Sequence, residues 1–427
     1  MLTDEVGGLE AAREALARER LEELQALART YRNWSVKELA HALGRQPGRL
    51  VPDSGMPKID LVVGLARALD WPVEAVVDHL MKPASTMRRA VLQQDAATDY
   101  ARLYDESLQK RLERDYAEAI RLAVRAQAVA NTPTRRAAAL LIETQAHEAI
   151  GSYSEAVRCV RESTRIEGVS AEWRLYADSC LAHLLFMQGN TSHALGIATS
   201  VLEYGEKLPP TIVTRTTRML AHWSRGHVLR SAIPTATTAA WRPLAASARD
   251  DFRAAQSIGA ELVEEVGQNP TYFATFVHCV DPVMLELDAV CDESSADDSI
   301  RTLLAMVRDD TNGHLGHGER KAWAAVALAT TVKRFTTDEM QQRGLLEIAS
   351  AALRAHAVAT SNWYFAHKHL ELDAERRRTL AGNGVACRAL DAVEAKLVAG
   401  VLGQIPASRD SAAEFMALYG AREGARA

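Results

Sequence analysis

Apolar residues recur every three or four positions along most of this chain. That spacing is typical of amphipathic helices. Residues 9–31 illustrate it, with Leu21, Leu24 and Ala28 on one side and charged residues between them. Helix-favouring alanine, leucine, glutamate and arginine are abundant, and only 6% of residues are aromatic. The pattern predicts an all-α protein.

The stretch from Ser35 to Leu80 contains several short predicted helices. Ser35 and Glu38 have the spacing of a capping box, in which each residue bonds the backbone N–H of the other. Gly44 suits the left-handed turn that ends this helix. The following segment holds Pro47 and stops at Pro52, so its helix must be short. Two more amphipathic segments complete a predicted five-helix domain over residues 1–82.

A repeat follows a predicted linker or entry helix at 83–99. Three similar segments begin at residues 114, 151 and 189, and their alanines 119, 156 and 194 are 37 and 38 residues apart. Each segment begins a helix just after another helix ends. We therefore predict stacked helix pairs over 100–205, continued by a further helical body over 206–427.

Both parts resemble known families. The segment "SVKELAHALG" and the later "PKIDLVVGLARALDWPVEAVV" resemble the Cro/C1-type helix-turn-helix family. The repeats of 100–205 resemble tetratricopeptide repeats. This combination is similar to peptide-sensing transcriptional regulators, and it implies a small helix-turn-helix domain followed by an α-solenoid. The resemblance also implies that the concave face of the solenoid binds a peptide or protein segment, and that the repeats dimerise.

The helix-turn-helix resemblance assigns DNA-contacting residues. Gln46 and Arg49 would approach base edges. Ser35, Lys37, Arg45 and Lys58 would meet phosphates. The segment 29–67 favours this assignment, because seven basic residues against three acidic ones give +4. Two departures from the family pattern weaken the predicted DNA-reading element. Val36 stands where the family usually places glutamine, and Pro47 and Gly48 interrupt the recognition helix. A protein-interaction or dimerisation role therefore remains the alternative.

The sequence contains no motif that indicates catalysis or metal binding strongly enough to change this prediction. No nucleotide-binding loop, nucleophile elbow or zinc-protease motif occurs, and the two histidines of the loop 312–319 have no third ligand nearby in sequence. We expect no enzymatic activity, no cofactor and no metal. The aromatic residues at helical spacing are expected in the core, and the basic run Arg376–Arg378 is expected on a helix surface.

The overall charge and the cysteines indicate the compartment. The net charge of −5 excludes a basic field over the whole protein, so any binding to nucleic acid must be local. The five cysteines are widely spaced, which favours buried reduced thiols. No signal peptide is visible, and no apolar run approaches the roughly 20 residues of a membrane span. We predict a cytoplasmic protein that does not bind membranes.

The sequence thus predicts a DNA-binding transcriptional regulator. Its partners would be double-stranded DNA at the N-terminal domain and a peptide or protein segment on the concave face of the repeats. A homodimer is expected, since two half-sites are needed for useful affinity. The alternative is a non-enzymatic repeat scaffold whose degenerate helix-turn-helix domain binds protein instead of DNA.

Overall fold

A computed structural model describes most of the chain. The described residues are 34–52, 57–69, 100–266, 271–309, 317–382 and 390–409, with parts of 17–32 and 73–80. Within these residues every regular element is an α-helix or a 3-10 turn, which confirms the all-α prediction. None of the helices described is long and apolar enough to cross a bilayer.

The chain divides into two compact units. The larger unit spans residues 98–372, and the smaller unit combines residues of 1–97 with residues of 373–427. The boundaries at 82, 99 and 205 that the sequence suggests stay predictions. Each unit is described separately below.

In the N-terminal part of the smaller unit, local sequence signals set the helix ends. Helix α1, Val36–Ala42, has the predicted capping box between Ser35 and Glu38. It ends before Gly44, which has the expected positive φ of 63°. A single 3-10 turn, Pro47–Arg49, follows, and then helix α2, Ile59–Leu69. The core of this part consists of apolar side chains that are at most 1% exposed, among them Leu21, Leu24, Leu39, Leu61, Leu65 and Leu69.

Two further contacts fix this arrangement. The guanidinium of Arg32 donates to the backbone carbonyls of Ala68 and Arg67, at 2.8 and 3.2 Å, and so caps the end of α2. Gly64 allows α2 to approach the turn after α1, because a Cβ at this position would lie 2.8 Å from a methyl carbon of Leu43. The helices therefore lie closer together than a larger residue would permit.

The larger unit is a succession of helices that each pack on the next one in sequence. They are α3 (Tyr100–Leu112), α4 (Tyr116–Val129), α5 (Pro133–Ala149), α6 (Tyr153–Arg165), α7 (Ala171–Met187), α8 (Thr191–Gly205), α9 (Ile212–Ala232), α10 (Thr238–Val266), α11 (Thr271–Val290), α12 (Ala296–Arg308), α13 (His317–Phe335) and α14 (Glu339–Thr360). Helix α15 (Trp363–Gly382) begins in this unit, and α16 (Ala392–Gln404) lies in the smaller one.

The predicted repeat is visible in the turns between paired helices. Arg114, Gly151 and Gly189 occupy equivalent positions and have φ values of 64°, 75° and 79°. The alanines 119, 156 and 194 that follow them are fully buried. The small residue therefore lies where two helices are in contact, as the spacing predicted. Alternate helices also meet, because α7 packs on α9 and α11 packs on α13.

Candidate functional site

The first candidate surface is the start of α1, where two predicted phosphate-binding residues lie. Ser35 and Lys37 are both exposed. The hydroxyl of Ser35 accepts from the Glu38 backbone N–H at 3.3 Å, and the Glu38 carboxylate accepts from the Ser35 N–H at 2.7 Å. The bond from the Ser35 backbone lowers the pKa of Glu38. The carboxylate of Glu38 is therefore held at the helix end.

Arg45, another predicted phosphate-binding residue, is paired with a carboxylate. Its guanidinium lies 2.8 Å from Asp60, and its side chain is only 23% exposed. Desolvation opposes ionisation of Asp60, but hydrogen bonds from the Leu61 backbone and Arg45 lower its pKa overall. Arg45 would have to release this partner to bind a phosphate. Its contribution to the local positive charge is correspondingly reduced.

The predicted recognition helix is the single 3-10 turn Pro47–Arg49. Gln46 precedes it and makes no side-chain cap, and both Gln46 and Arg49 are exposed. The next residue, Leu50, is 5% exposed, and its carbonyl accepts from the Gln25 side chain at 2.8 Å. This buried anchor holds the turn in place. Only Gln46 and Arg49 project from it as polar side chains suited to base edges.

Lys58, the last of the six predicted residues, is exposed immediately before α2. Lys37, Arg49 and Lys58 share one property: none has a carboxylate partner within the part of the chain described. Of the three acidic residues in the segment 29–67, Glu38 is hydrogen-bonded to Ser35, Asp60 is paired with Arg45, and Asp53 lies outside the described residues. The three cationic side chains therefore keep their positive charge available at the surface.

An apolar groove lies beside these residues, between the end of α1 and α2. It is a shallow groove, open to solvent, with a volume of about 440 Å³, and it is lined by Ala42, Leu43, Gly44, Ile59, Asp60, Val63, Gly64 and Arg67. Ile59, which lines the groove, is 68% exposed. Exposed apolar side chains next to a groove are typical of protein-binding surfaces. The groove is thus the structural counterpart of the protein-interaction alternative.

The second candidate surface is the face on which the first helices of the pairs meet, here called the inner face. An aromatic cluster made of Phe186, Trp223, His227, Trp323 and Tyr364 covers it at α7, α9, α13 and α15. The His227 ring stacks on Trp323 and Phe186, with centroids 4.2 and 5.1 Å away, and Trp323 lies 5.4 Å from Tyr364. All five side chains are at most 7% exposed. Side chains of the same chain therefore fill this stretch of the inner face.

A second contact joins the α5–α6 turn to the residues that precede α15. This closure contact consists of Gly151, Tyr153, Asn362 and Trp363. The Trp363 indole donates to the Gly151 carbonyl at 2.8 Å, and the Tyr153 hydroxyl bonds the Asn362 side chain at 3.0 Å. A Cβ on Gly151 would lie 2.1 Å from the Ser361 carbonyl oxygen. The approach is therefore possible only for glycine.

Charged side chains on the inner face remain accessible. His183 lies 3.0 Å from Glu148, and their side chains are 14% and 28% exposed. Burial alone would lower the pKa of His183, but the Glu148 carboxylate raises it overall. Glu319 is exposed to solvent, yet desolvation and the charge of Glu148 raise its pKa.

The other sequence predictions can now be compared with the structure. Trp223, Tyr364 and Phe365 are buried as expected, and Trp173 and Tyr176 are half-buried against the core. Cys159, Cys180 and Cys279 are buried free thiols, Cys291 is half-buried, and Cys387 lies outside the described residues. Most of the loop 312–319 also lies outside them.

The exposed location predicted for Arg376–Arg378 is wrong for the middle residue. Arg377 is 2% exposed, and its guanidinium donates to the Asp373 carboxylate at 2.7 Å.

Comparison with known proteins adds one distant similarity. No protein-family model matches the chain, and no curated protein matches it. Among solved structures, it is similar to Bacillus thuringiensis PlcR in complex with the peptide PapR7 and DNA. The two chains are 11% identical over 81% of this chain and 99% of the other, with a TM-score of 0.29. A TM-score this low carries no weight for fold or function.

Proposed function

We propose that this chain is a DNA-binding transcriptional regulator whose helical body binds a peptide or protein segment. The proposed DNA binding rests on one observation: three exposed basic side chains, those of Lys37, Arg49 and Lys58, lie on a compact helical scaffold. Asp60 is paired with Arg45, while Glu38 is hydrogen-bonded to Ser35 and keeps its negative charge next to Lys37 in sequence. Phosphate backbones bind such sites chiefly by electrostatic attraction, with strong salt dependence.

The geometry of the 3-10 turn determines how much sequence this domain reads. A single turn presents Gln46 and Arg49, whereas a full recognition helix usually presents three or four side chains. We therefore infer that phosphate contacts supply most of the affinity and that few base pairs are read per domain. Two domains in a homodimer would double the number of contacts, which supports the dimer as part of the same proposal.

The test measures binding of the full chain to duplex DNA by fluorescence anisotropy over a series of salt concentrations. Lys37→Ala should weaken binding to all duplexes alike and lower the log–log salt slope by about 0.9. On a selected site, Arg49→Ala should cost about 1–3 kcal/mol and relax specificity. Lys207→Ala, which removes an exposed lysine of the larger unit, is the matched control. Wild-type binding that is absent at low salt would contradict the proposal.

A second candidate function rests on the apolar groove between α1 and α2. The high exposure of Ile59 and Val36 favours a role of the N-terminal domain in binding protein. Ile59→Asp should then abolish self-association or partner capture, measured by sedimentation, while it leaves DNA affinity almost unchanged. Loss of DNA affinity in Lys37→Ala with normal self-association would instead support the regulator.

For the body, the accessible acidic residues Glu148 and Glu319 favour a partner segment that carries positive charge. Desolvation and the charge of Glu148 raise the pKa of Glu319, and a cation beside these carboxylates would offset the second of these effects. The aromatic cluster already fills the inner face at α7 and α9, so the proposed segment binds at this charged region rather than along the whole face. The partner is thereby predicted to be a short basic peptide or a chain end with a free amine.

A displayed library of random peptides tests this half of the proposal. The full chain should enrich sequences with basic residues or an accessible N-terminal amine, and Glu319→Gln should lose most of that enrichment. Glu347→Gln, which changes an exposed glutamate on α14, is the control. Equal enrichment of acidic and basic peptides would contradict the charged region as the binding site.

A further inference from the structure

A cluster of three possible metal ligands lies between α5 and α6 and shares no residue with the surfaces described above. Glu143 and His147 are one turn apart on α5, and Cys159 faces them from α6. One oxygen, one nitrogen and the sulfur of these side chains lie within 4.8 Å of one another. Cys159 is fully buried, and the side chains of Glu143 and His147 are 2% and 15% exposed.

The distances suit a single tetrahedral ion. Two nitrogen or oxygen ligands about 2.0 Å from a tetrahedral zinc are roughly 3.3 Å apart, and a sulfur ligand at about 2.3 Å lies slightly farther away. His147 Nε2 and Glu143 Oε1 are 3.5 Å apart. Small side-chain rotations would therefore bring all three ligand atoms to bonding distance. Sulfur, imidazole nitrogen and carboxylate oxygen together favour a borderline-soft divalent ion such as Zn²⁺.

The surroundings orient the carboxylate toward the cluster. The side-chain amide of Gln127, on α4, donates to Glu143 Oε2 at 2.6 Å. This bond leaves Oε1 directed at His147. A hydrogen bond to the second oxygen of a ligating carboxylate is the usual outer-shell support of a metal site. The buried charge of Glu143 also needs compensation, which a divalent cation supplies.

Arg158 provides that compensation in the present structure. Its guanidinium lies 3.9 Å from Glu143 Oε1 and 3.4 Å from Cys159 Sγ. The same side chain also reaches Glu155 and Glu162, at 3.0 and 3.4 Å. An arriving cation can therefore displace the guanidinium toward these two carboxylates without leaving it unpaired. The Arg158 guanidinium is therefore a counter-ion that a metal ion can displace.

We propose that Glu143, His147 and Cys159 bind one Zn²⁺ ion between α5 and α6, with the fourth ligand position on the side of Arg158. Binding releases the proton of the Cys159 thiol, because the thiolate is the ligand form. The ion joins the two helices of one pair. None of its three ligands is among the residues proposed to contact DNA or peptide.

The test uses the full chain, stripped of metal and then titrated with Co²⁺. Wild-type protein should develop thiolate-to-cobalt charge transfer and the intense visible bands of tetrahedral Co²⁺, and Zn²⁺ should abolish both. Cys159→Ser should lose the charge-transfer band, and Gln127→Ala should weaken binding about 10–100-fold. Cys180→Ser, which changes another buried cysteine, should behave like wild type. Identical spectra for Cys159→Ser and wild type would overturn the assignment.

Arg158→Ala gives a second and independent measurement. Without metal, this variant removes one cationic neighbour of the buried Glu143 and should melt at a lower temperature than wild type. Zn²⁺ should restore the melting temperature, and its affinity should exceed that for wild type because no guanidinium competes. A melting temperature that stays low with Zn²⁺ would mean that the cluster is an ion-paired part of the core and not a metal site.

Discussion

His227 is a buried imidazole for which the structure offers aromatic contacts and no hydrogen bond. It is 1% exposed, and neither ring nitrogen has a partner within the part of the chain described. Its neighbours are the rings of Phe186, Trp223, Phe252 and Trp323. Burial lowers its pKa well below the ordinary value, and the charge of Arg230 adds to that effect. The ring is therefore held neutral in the folded protein.

This residue should make the fold sensitive to acid. Because its pKa is lower in the folded state than in the unfolded state, His227 contributes stability above about pH 6.5, and this contribution is lost as the pH falls below that value. Wild-type unfolding free energy from urea denaturation should fall by up to about 1.4 kcal/mol per pH unit from this group. His227→Phe should remove that part of the slope, whereas His278→Ala, at an exposed position, should not. An unchanged slope in His227→Phe would show that other groups titrate there.

At the scale of the element, the repeated turn between paired helices shows one irregularity. Gly151 and Gly189 adopt the left-handed conformation at two of the turns, whereas Arg114 adopts it at the equivalent position of the first turn. A residue with a side chain pays about 1–2 kcal/mol for this conformation, and glycine does not. The first turn is therefore strained relative to the other two.

Replacing this arginine should relieve the strain. Arg114→Gly is expected to raise the unfolding free energy by up to about 1 kcal/mol, since glycine gains entropy in the unfolded chain and offsets part of the benefit. Glu113→Gly, one position earlier at the end of the helix, is the control and should destabilise. Thermal melts of both variants against wild type provide the measurement. A lower melting temperature for Arg114→Gly would mean that the side chain of Arg114 contributes more than its backbone costs.

Elements of this kind were largely predictable from sequence, because their causes are local. The capping box of Ser35 and Glu38, the turn at Gly44 and the buried alanines of the repeat all depend on neighbours a few residues away. The metal-ligand cluster was missed. Its only sequence signal is the one-turn spacing of Glu143 and His147, and Cys159 joins them through helix packing. Arg377 was misplaced because Asp373, one turn earlier, supplies the carboxylate that permits its burial.

The residues predicted to contact DNA show the same limit. Sequence placed Lys37, Arg49 and Lys58 in exposed segments, but it did not reveal that Arg45 pairs with Asp60, fifteen residues later. It also predicted a short recognition helix, and the segment is a single 3-10 turn because Pro47 and Pro52 lie so close together. Such contacts depend on how separate elements pack, which the spacing of apolar residues does not specify.

At the scale of the larger unit, the closure contact is the feature that the sequence does not predict. It joins residues 151–153 to residues 361–364, and the Tyr153–Asn362 bond spans 209 positions. Gly151 has a φ of 75° and the Ser361 carbonyl directly against it. Any side chain at this position must push the two turns apart.

Gly151→Ala should therefore be costly for two reasons, the left-handed backbone and the overlap with Ser361. Gly168→Ala is the matched control, since Gly168 has a φ of 78° but only ordinary contacts with Pro133, the nearest at 3.4 Å. The control should lose about 1–2 kcal/mol of unfolding free energy, and Gly151→Ala should lose distinctly more. The tryptophan emission spectrum of the protein should also shift to longer wavelength only in Gly151→Ala, because Trp363 becomes more exposed in that variant. Equal losses in the two variants would show that the closure contact adds no stability.

The closure contact has a consequence for how this chain can change over evolutionary time. In an open array, each helix pair touches only its neighbours, so pairs can be duplicated or deleted and the array simply becomes longer or shorter. Here the α5–α6 turn must meet the residues before α15, and that meeting requires a fixed number of pairs between them. Gain or loss of one pair would move Asn362 and Trp363 away from Tyr153 and Gly151. Length variation should therefore be confined to positions outside residues 151–364, and within that interval to loops that do not change the number of pairs.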